Sequence, residues 1–478
     1  MMRFTDTIGK VLGSANAYRV LLALNLLLAI GVAWASHGHV LTDTWSYLGL
    51  AEGILHGNYS MWWPIGDAWP DTFRSPGYPL LVAGVIALFG NWKAMYAVNF
   101  LLYAASLLWT MRLIARIDPR PLTRNLFLLL LLPLVNVPFY ITQLYTEIPV
   151  MAAITGTLLL GTRPGRWGVG TAVAMGLLFG FLVQCKPVYL LFPLAFAALA
   201  WLIQRRNMDF RGHGMAFLVF AITLLPYGFW NLKHHGVFRV TPIEGGPGYM
   251  QLGYWAGKTP GYVDTFHLHN KMGDELIRFV PDEEVPQHIE AYSEEWRTIL
   301  AAIEPLKTRN DSIMLASRHL LPYPAENTWS TEYTLTRERL LKSATFSNMA
   351  NDPWYTLKYK AYTAVRLWVI GIQRGDFRKA GFAQKARQVY ATASTGLILL
   401  LFVAIVPLAY FKRRLSWRAT WPMLLYLAYT GIMHIPFTIQ ARYTTPVRLI
   451  MLAVLAMAAV QLLGAPARQE HSAADSNT

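Results

Sequence analysis

The sequence predicts an all-α, polytopic membrane protein, and three observations carry that prediction. Of its 478 residues, 54% are hydrophobic and only 14% are charged, whereas soluble domains carry about 25% charged residues. The mean hydropathy is +0.31, and long apolar segments alternate with short basic clusters. The net charge of +15 does not indicate nucleic acid, because the basic residues lie between apolar segments instead of lining one soluble face.

The apolar segments set the number of predicted spans. A membrane-spanning helix needs about 20 mostly apolar residues, and by that measure about ten segments qualify. They cover residues 18–36, 95–114, 126–142, 148–161, 168–183, 188–203, 215–231, 389–411, 420–437 and 447–463.

Basic clusters set the predicted orientation. They follow the second, fourth, sixth and eighth spans, at residues 112–124, 163–166, 205–211 and 412–418. Because cytoplasmic loops gather Lys and Arg, both termini are expected in the cytoplasm. The chain is then an integral protein of the cell membrane. Its compact length and single cysteine are typical of a bacterial protein, which predicts the inner membrane.

Two apolar segments are not counted as spans. Residues 362–372 are interrupted by Arg366, and a span there would move the 412–418 cluster outside, so they are expected at the outer interface. Residues 78–89 begin with Tyr-Pro and are short for a span. They are expected to form a re-entrant or surface helix that protein shields from lipid.

Four regions follow from this reading. Residues 1–232 form an N-terminal transmembrane module that carries the site, with a first extracytoplasmic loop at 37–93. Residues 233–388 form an α-rich extracytoplasmic loop domain, 389–464 the C-terminal transmembrane helices, and 465–478 a disordered cytoplasmic tail. The single cysteine, Cys185, excludes a disulfide within the chain.

The predicted outer turns hold ionisable residues close to membrane level. Such residues are costly there and usually serve a site. They are Asp43, Arg74 with Tyr78 in the segment Arg-Ser-Pro-Gly-Tyr-Pro, Glu147, Lys186, and Arg442 with Tyr443.

Each of these residues could instead have a structural role. Asp43 could cap a helix, and Lys186 and Arg442 could anchor at lipid headgroups. Three further acids are interpreted as solvated loop residues, and three tryptophans are expected to form an interfacial belt. These are Glu52, Asp67 and Asp71, and Trp62, Trp63 and Trp69.

Together the outer residues indicate group transfer from a lipid phosphate. Two carboxylates at one surface can deprotonate an acceptor hydroxyl or amine. Lys and Arg at the same depth can bind a phosphate that stays anchored in lipid, and they would stabilise it as it departs.

Short motifs in this order resemble a known family, the GT-C membrane glycosyltransferases. The resemblance is to the branch that contains the protein O-mannosyltransferases and the lipid A aminoarabinose transferase, and it covers nearly the whole chain. The matching elements are Asp43 with Tyr47, Ala51 and Gly57, the segment 74–79, Thr146-Glu147, Lys186-Pro187 and residues 441–446.

The resemblance implies a GT-C-like fold and a sugar transferase. The donor would be a polyprenyl-phosphate-linked sugar, and the acceptor a lipid, glycan or protein on the extracytoplasmic face. Asp43 would be the catalytic base, and Glu147 its helper or a substrate ligand. Lys186 and Arg442 would face the lipid phosphate, and Arg74 would order the first loop. Tyr78 and Tyr443, which flank these residues, are expected to bind substrate as well.

The sequence leaves two points open. Many relatives have adjacent acids at the first site, whereas Thr44 follows Asp43 here, so participation of a divalent metal ion is undecided and no other cofactor is predicted. The alternative function is a transporter or flippase of a lipid-linked sugar. Transporters place polar features near the bilayer midplane, so the ionisable residues at the outer end favour the enzyme.

Overall fold

The computed structural model describes residues 11–463 of the protein, apart from 42, 66–68, 206–207, 260–262, 265–269, 272–279, 282, 322–329, 373 and 438–439. The predicted tail at 465–478 and Asp67 therefore lie outside the described residues. Across the described ranges the chain is almost entirely helical, as the sequence predicts.

The first half of the chain contains nine helices within its described residues. They are α1 (Ala15–Ser36), α2 (Asp43–Leu55), α3 (Gly77–Phe89), α4 (Met95–Ile117), α5 (Pro121–Leu131), α6 (Glu147–Gly161), α7 (Val169–Cys185), α8 (Phe192–Gln204) and α9 (Phe210–His235). Short 3₁₀ turns lie at Trp92–Ala94, Pro138–Thr142 and Pro187–Tyr189.

The second half contains eight helices within its described residues, and the last three of them are apolar. Its helices are α10 (Gly246–Trp255), α11 (Val285–Ser317), α12 (Thr331–Asn351), α13 (Pro353–Arg366), α14 (Arg374–Lys379), α15 (Phe382–Phe411), α16 (Trp417–His434) and α17 (Arg448–Leu463). The two-residue strands β1 (Val263–Asp264) and β2 (Asn270–Lys271) pair antiparallel. Two 3₁₀ turns lie at Arg318–Leu320 and Ala441–Val447.

Six helices of the described chain are long and apolar enough to cross a membrane, which is the character of an integral membrane protein. They are Ala15–Ser36, Trp92–Ile117, Pro187–Gln204, Phe210–His235, Phe382–Phe411 and Ala441–Leu463. Four further apolar helices, α3 and α5 to α7, are shorter. The predicted fourth and fifth spans correspond to the short helices α6 and α7, and the ninth to α16.

The predicted span at 126–142 is not one helix. Helix α5 ends at Leu131, and the chain turns before a 3₁₀ segment at Pro138–Thr142. Pro133 and Pro138 explain the break, because proline has no backbone N–H to donate and its ring clashes with the preceding turn of a helix. The 3₁₀ segment at Pro138–Thr142 is followed after four residues by Glu147, the first residue of α6.

Helix α17 is the centre of the apolar core. Most of its side chains are fully buried, and it packs against α4, α5, α15 and α16. A helix that is apolar on all faces must be enclosed by other helices. Arg442 lies in the 3₁₀ turn that runs into this central helix, so its position is fixed by the best-packed part of the molecule.

A second apolar cluster joins the first loop to the later helices. We call it the loop cluster; it consists of Leu50, Met61, Trp62, Trp296, Ile299, Ile303, Tyr333 and Leu341. Trp62 is only 4% exposed, so its interpretation as part of an interfacial belt is wrong. The indole is covered by side chains of α11 and α12, which lie far from it in sequence.

Residues 362–372 do not form a single helix. Helix α13 ends at Arg366, and the Arg366 guanidinium donates to the carbonyl of Val369 at 2.7 Å. The carbonyl of Trp368 accepts from Arg448 at 2.5 Å, and that of Leu367 from Thr444. The end of α13 is thus tied to the start of α17. Placement of this segment at the outer interface stays a prediction.

Candidate active site

Asp43 lies between two guanidinium groups that come from distant parts of the chain. Its Oδ1 is 3.0 Å from Arg74 Nη2, and its Oδ2 is 2.9 Å from Arg442 Nη1. Asp43 is the first residue of α2, where the helix dipole also favours a negative charge. The sequence separates these three residues by up to about 400 positions, and the fold joins them in one charged group.

The segment before α3 holds Arg74 in place. The hydroxyls of Tyr59 and Tyr227 both donate to the Arg74 carbonyl, at 3.0 and 3.1 Å. Asp71 Oδ2 accepts the backbone N–H groups of Phe73 and Arg74, at 3.0 and 2.6 Å. Side chains from the first loop and α9 therefore fix the backbone from which the guanidinium reaches Asp43.

Aromatic rings surround the Arg74 guanidinium. Its Cζ lies 4.9 Å from the ring centroid of Tyr47 and 4.3 Å from that of Phe73. An arginine over the face of a ring is attracted by the ring quadrupole. These contacts orient Arg74 toward Asp43 and leave its charge in a largely apolar setting.

The charge balance around Asp43 decides its protonation state. Burial alone would raise the pKa of its carboxyl, but Arg74 and Arg442 outweigh burial and lower the pKa to about 2. Asp43 is therefore ionised at physiological pH. In this arrangement it is a stable anion and a weak base.

Glu147 and Lys186 form a second ion pair. Lys186 Nζ donates to Glu147 Oε1 at 3.2 Å, with Glu147 almost completely buried. Burial lowers the pKa of Lys186 more than Glu147 raises it. Glu147 Oε2 is enclosed and has no hydrogen-bond partner among the described residues. A buried carboxylate oxygen without a donor is costly, so this atom is suited to a further donor.

Tyr443 connects the two ion pairs. Lys186 Nζ and Arg442 Cζ each lie 5.6 Å from its ring centroid. Arg442 Cζ is also 4.7 Å from the ring of Tyr145. The predicted residues Asp43, Arg74, Glu147, Lys186, Arg442 and Tyr443 are thus brought to one end of the helices.

Tyr78 occupies a different position from the other predicted residues. It is fully buried and meets Tyr47 edge to face, with ring centroids 4.7 Å apart. Its ring supports Tyr47, on which Arg74 lies. A direct contact of Tyr78 with substrate stays a prediction.

The sequence interpretation of two other side chains was incomplete. Asp71 is fully buried, so its interpretation as a solvated loop residue is wrong; its Oδ2 accepts backbone N–H groups of Phe73 and Arg74. His434, 7% exposed, stacks on Tyr443 with centroids 5.0 Å apart. Its only sequence signal is its place near the outer end of a predicted span, eight residues before Arg442.

Metal binding finds little support in the described part of the chain. No three His, Cys, Asp or Glu side chains there lie close enough together to hold a metal ion. Asp43 and Glu147 are each paired with cationic side chains. Both carboxylates therefore neutralise Arg and Lys side chains.

Comparisons with known proteins give one similarity. No family model matches the chain, and no curated protein matches it. Among solved structures it is similar to ArnT from Cupriavidus metallidurans, which was crystallised bound to undecaprenyl phosphate. The identity is 13% and the TM-score 0.36, over 94% of this chain and 79% of that one.

Proposed function

We propose that this chain is a membrane glycosyltransferase that takes a sugar from a polyprenyl-phosphate-linked donor. The acceptor would be an envelope lipid, glycan or protein on the extracytoplasmic face. One observation carries the proposal: a carboxylate held by two arginines lies beside a buried Glu–Lys pair, where helices end. This combination supplies a proton acceptor and cations for a phosphate in one place.

The reaction assigns each group a part. The acceptor oxygen or nitrogen attacks the anomeric carbon of the donor sugar, and its proton passes to Asp43. The bond from the anomeric carbon to the phosphate oxygen breaks, and its electron pair leaves with the polyprenyl phosphate. Arg442, which can bind phosphate bidentately, and Lys186 stabilise the charge that develops on the departing oxygen.

Donor binding also explains how a weak base becomes an effective one. With a pKa of about 2, Asp43 is far from the best value for proton transfer at neutral pH. A donor phosphate competes with Asp43 for Arg442. When Arg442 turns to the phosphate, Asp43 loses one of the two cations that lower its pKa. The donor therefore activates the base, and an enzyme without donor keeps Asp43 unreactive.

Glu147 serves the site through Lys186. Its Oε1 holds the ammonium at 3.2 Å, while the enclosed Oε2 is available to one more donor. A carboxylate in this position favours the charged form of Lys186 and opposes the desolvation that favours the neutral amine. Glu147 is the second carboxylate of the proposed site, as an orienting group for Lys186 and for substrate.

The test is sugar transfer by purified protein in detergent. A panel of labelled polyprenyl-phosphate sugars is incubated with envelope extract as the acceptor source. Asp43→Asn should reduce donor consumption by at least about 100-fold, the usual share of a general base, and leave the folded fraction unchanged. Glu52→Gln, on the same helix and without an ion pair among the described residues, is the matched control and should retain activity.

Two results would contradict the proposal. Full activity of Asp43→Asn removes Asp43 from the role of base. If no donor is consumed but labelled lipid crosses the bilayer of proteoliposomes, the protein is a transporter of lipid-linked sugars.

A further inference from the structure

His434 is a buried side chain that the proposed reaction does not use. It is the last residue of α16 and is 7% exposed. Its imidazole stacks on Tyr443 with centroids 5.0 Å apart and an angle of 28° between the planes. Lys186 Nζ and Arg442 Cζ each lie 5.6 Å from the centroid of the same Tyr443 ring, so His434 adjoins the candidate active site.

One hydrogen bond fixes the tautomer of His434. Its Nδ1 lies 2.7 Å from the carbonyl oxygen of Thr430. A carbonyl only accepts, so Nδ1 carries the hydrogen and, in the neutral imidazole, Nε2 presents a lone pair. No hydrogen bond to Nε2 is found among the described residues. His434 Nε2 is not among the fully enclosed unpartnered atoms of the described residues, so it is open to a hydrogen bond from a ligand.

The neighbours of Tyr443 indicate which part of a ligand lies there. Lys186 Nζ and Arg442 Cζ are 5.6 Å from the Tyr443 centroid, and His434 is 5.0 Å from it. The imidazole and both proposed phosphate ligands therefore lie near the same aromatic ring. In the donor, the sugar is bonded directly to a phosphate oxygen. Its hydroxyl groups must lie within a few bonds of the phosphorus, which is the region that His434 borders.

We propose that His434 binds the sugar of the donor, with Nε2 accepting a hydrogen bond from a sugar hydroxyl. The inference rests on the proposed function, because it places the phosphate at Lys186 and Arg442. It adds a subsite that distinguishes a lipid phosphate carrying a sugar from the same lipid phosphate without one. The ligand class is a hydroxyl-bearing monosaccharide in phosphodiester linkage to a polyprenol.

Two substitutions separate the acceptor from the stack. His434→Phe keeps an aromatic ring against Tyr443 and removes the acceptor. His434→Gln keeps a hydrogen-bond acceptor and removes the aromatic ring. A structural role predicts the larger defect in the glutamine variant, whereas the proposed role predicts it in the phenylalanine variant.

The experiment measures lipid binding to the full-length protein in nanodiscs. The probes are undecaprenyl phosphate alone and undecaprenyl phosphate carrying each of a panel of hexoses and pentoses. Native mass spectrometry measures how much of each lipid is bound. Wild-type protein should bind at least one sugar-bearing lipid more tightly than the bare lipid phosphate. His434→Phe should weaken that binding by up to about tenfold, the effect of losing one hydrogen bond, and leave binding of bare undecaprenyl phosphate unchanged.

The outcomes that overturn the inference differ from those that overturn the proposed function. Equal weakening of bare and sugar-bearing lipid by His434→Phe would make His434 a structural residue. Equal binding of all lipids by wild-type protein would exclude a sugar subsite. If binding behaves as expected but no donor is turned over, the subsite stands and the proposed transferase reaction fails.

Discussion

At the scale of single residues, the ion pairs of the candidate active site join three cationic side chains to two carboxylates. Among the described residues, Arg74 and Arg442 pair with Asp43, and Lys186 pairs with Glu147. Buried charge is costly unless it is compensated. A bound anion could pair with the same cations, and the phosphate of a lipid-linked donor has the required charge.

Arg442 gives a prediction about pH dependence. Arg442 is one of the two cations that hold the pKa of Asp43 at about 2. Removing it in Arg442→Gln should raise that pKa, so the carboxylate becomes protonated at a higher pH. The acid limb of the pH–rate profile should then move upward, and the KM for donor should rise. Arg442→Lys, which keeps the charge, should shift the limb less, and an unchanged limb in the glutamine variant would contradict the pairing.

Asp71 gives a prediction about stability. Burial raises its pKa to about 7 in spite of the N–H donors of Arg74 and Phe73. The folded state therefore binds a proton that the unfolded state, with a pKa of 3.8, has released. The free energy of unfolding should fall as pH rises from about 4 to 7, by up to about 1.4 kcal/mol per pH unit. Asp71→Asn should flatten this slope in thermal melts between about pH 5 and 8, whereas the exposed Glu290→Gln should retain it.

At the scale of elements, apolar runs predict where helices lie but not where they end. The predicted span 95–114 corresponds to α4 at Met95–Ile117, since nothing in that run breaks a helix. The span 389–411 is part of a longer helix, Phe382–Phe411, because its polar first turns carry no breaker. The span 126–142 divides around Pro133 and Pro138, a break that proline chemistry explains but that the apolar pattern alone does not indicate.

The sequence predicts which residues belong to the candidate site but not which of them contact one another. Costly charges at helix ends can be read from the sequence, which is why Asp43, Glu147, Lys186 and Arg442 stand out. Their partners cannot be read in this way. The approach of Arg442 to Asp43 depends on how the start of α17 packs against the first half of the chain. That of His434 to Tyr443 depends on the path of the chain between α16 and α17. Neither local propensity nor periodicity encodes that packing.

Gly77 gives a prediction at the start of α3. A Cβ placed there would lie 2.6 Å from Cβ of Gln184 and 2.8 Å from its carbonyl carbon. Gly77→Ala should therefore push α3 away from the end of α7, two residues before Lys186. The expected cost is about 1–3 kcal/mol, seen as a lower Tm, together with a higher KM for donor.

Gly84 is the matched control for this prediction. It lies on the same helix, and no heavy atom comes within 4 Å of a Cβ placed there. Gly84→Ala should be neutral or slightly stabilising, because alanine is the better helix former. Equal destabilisation by both substitutions would show that the contact with Gln184 is unimportant.

At the scale of the whole molecule, the orientation in the membrane decides which side the site faces. The basic cluster at 412–418 predicts a cytoplasmic turn after α15, and the loop domain at 233–388 is then extracytoplasmic. Cysteine substitutions at exposed positions test this, since the native Cys185 is buried. In a Cys185→Ala background, an impermeant maleimide should label Glu290→Cys in intact cells and Lys412→Cys only after permeabilisation. The opposite pattern would place the site in the cytoplasm.

Helix α2 belongs to both apolar clusters of the molecule. Tyr47 and Ala51 lie in the main core, whereas Leu50 lies in the loop cluster with side chains of α11 and α12. Asp43 begins this helix. The segment 233–388 is therefore not an independent cassette that could be exchanged between relatives to alter acceptor choice. A chimaera joined only at its two ends would leave Leu50, Met61 and Trp62 facing a foreign surface, and the mismatch would reach Asp43 within two turns of helix.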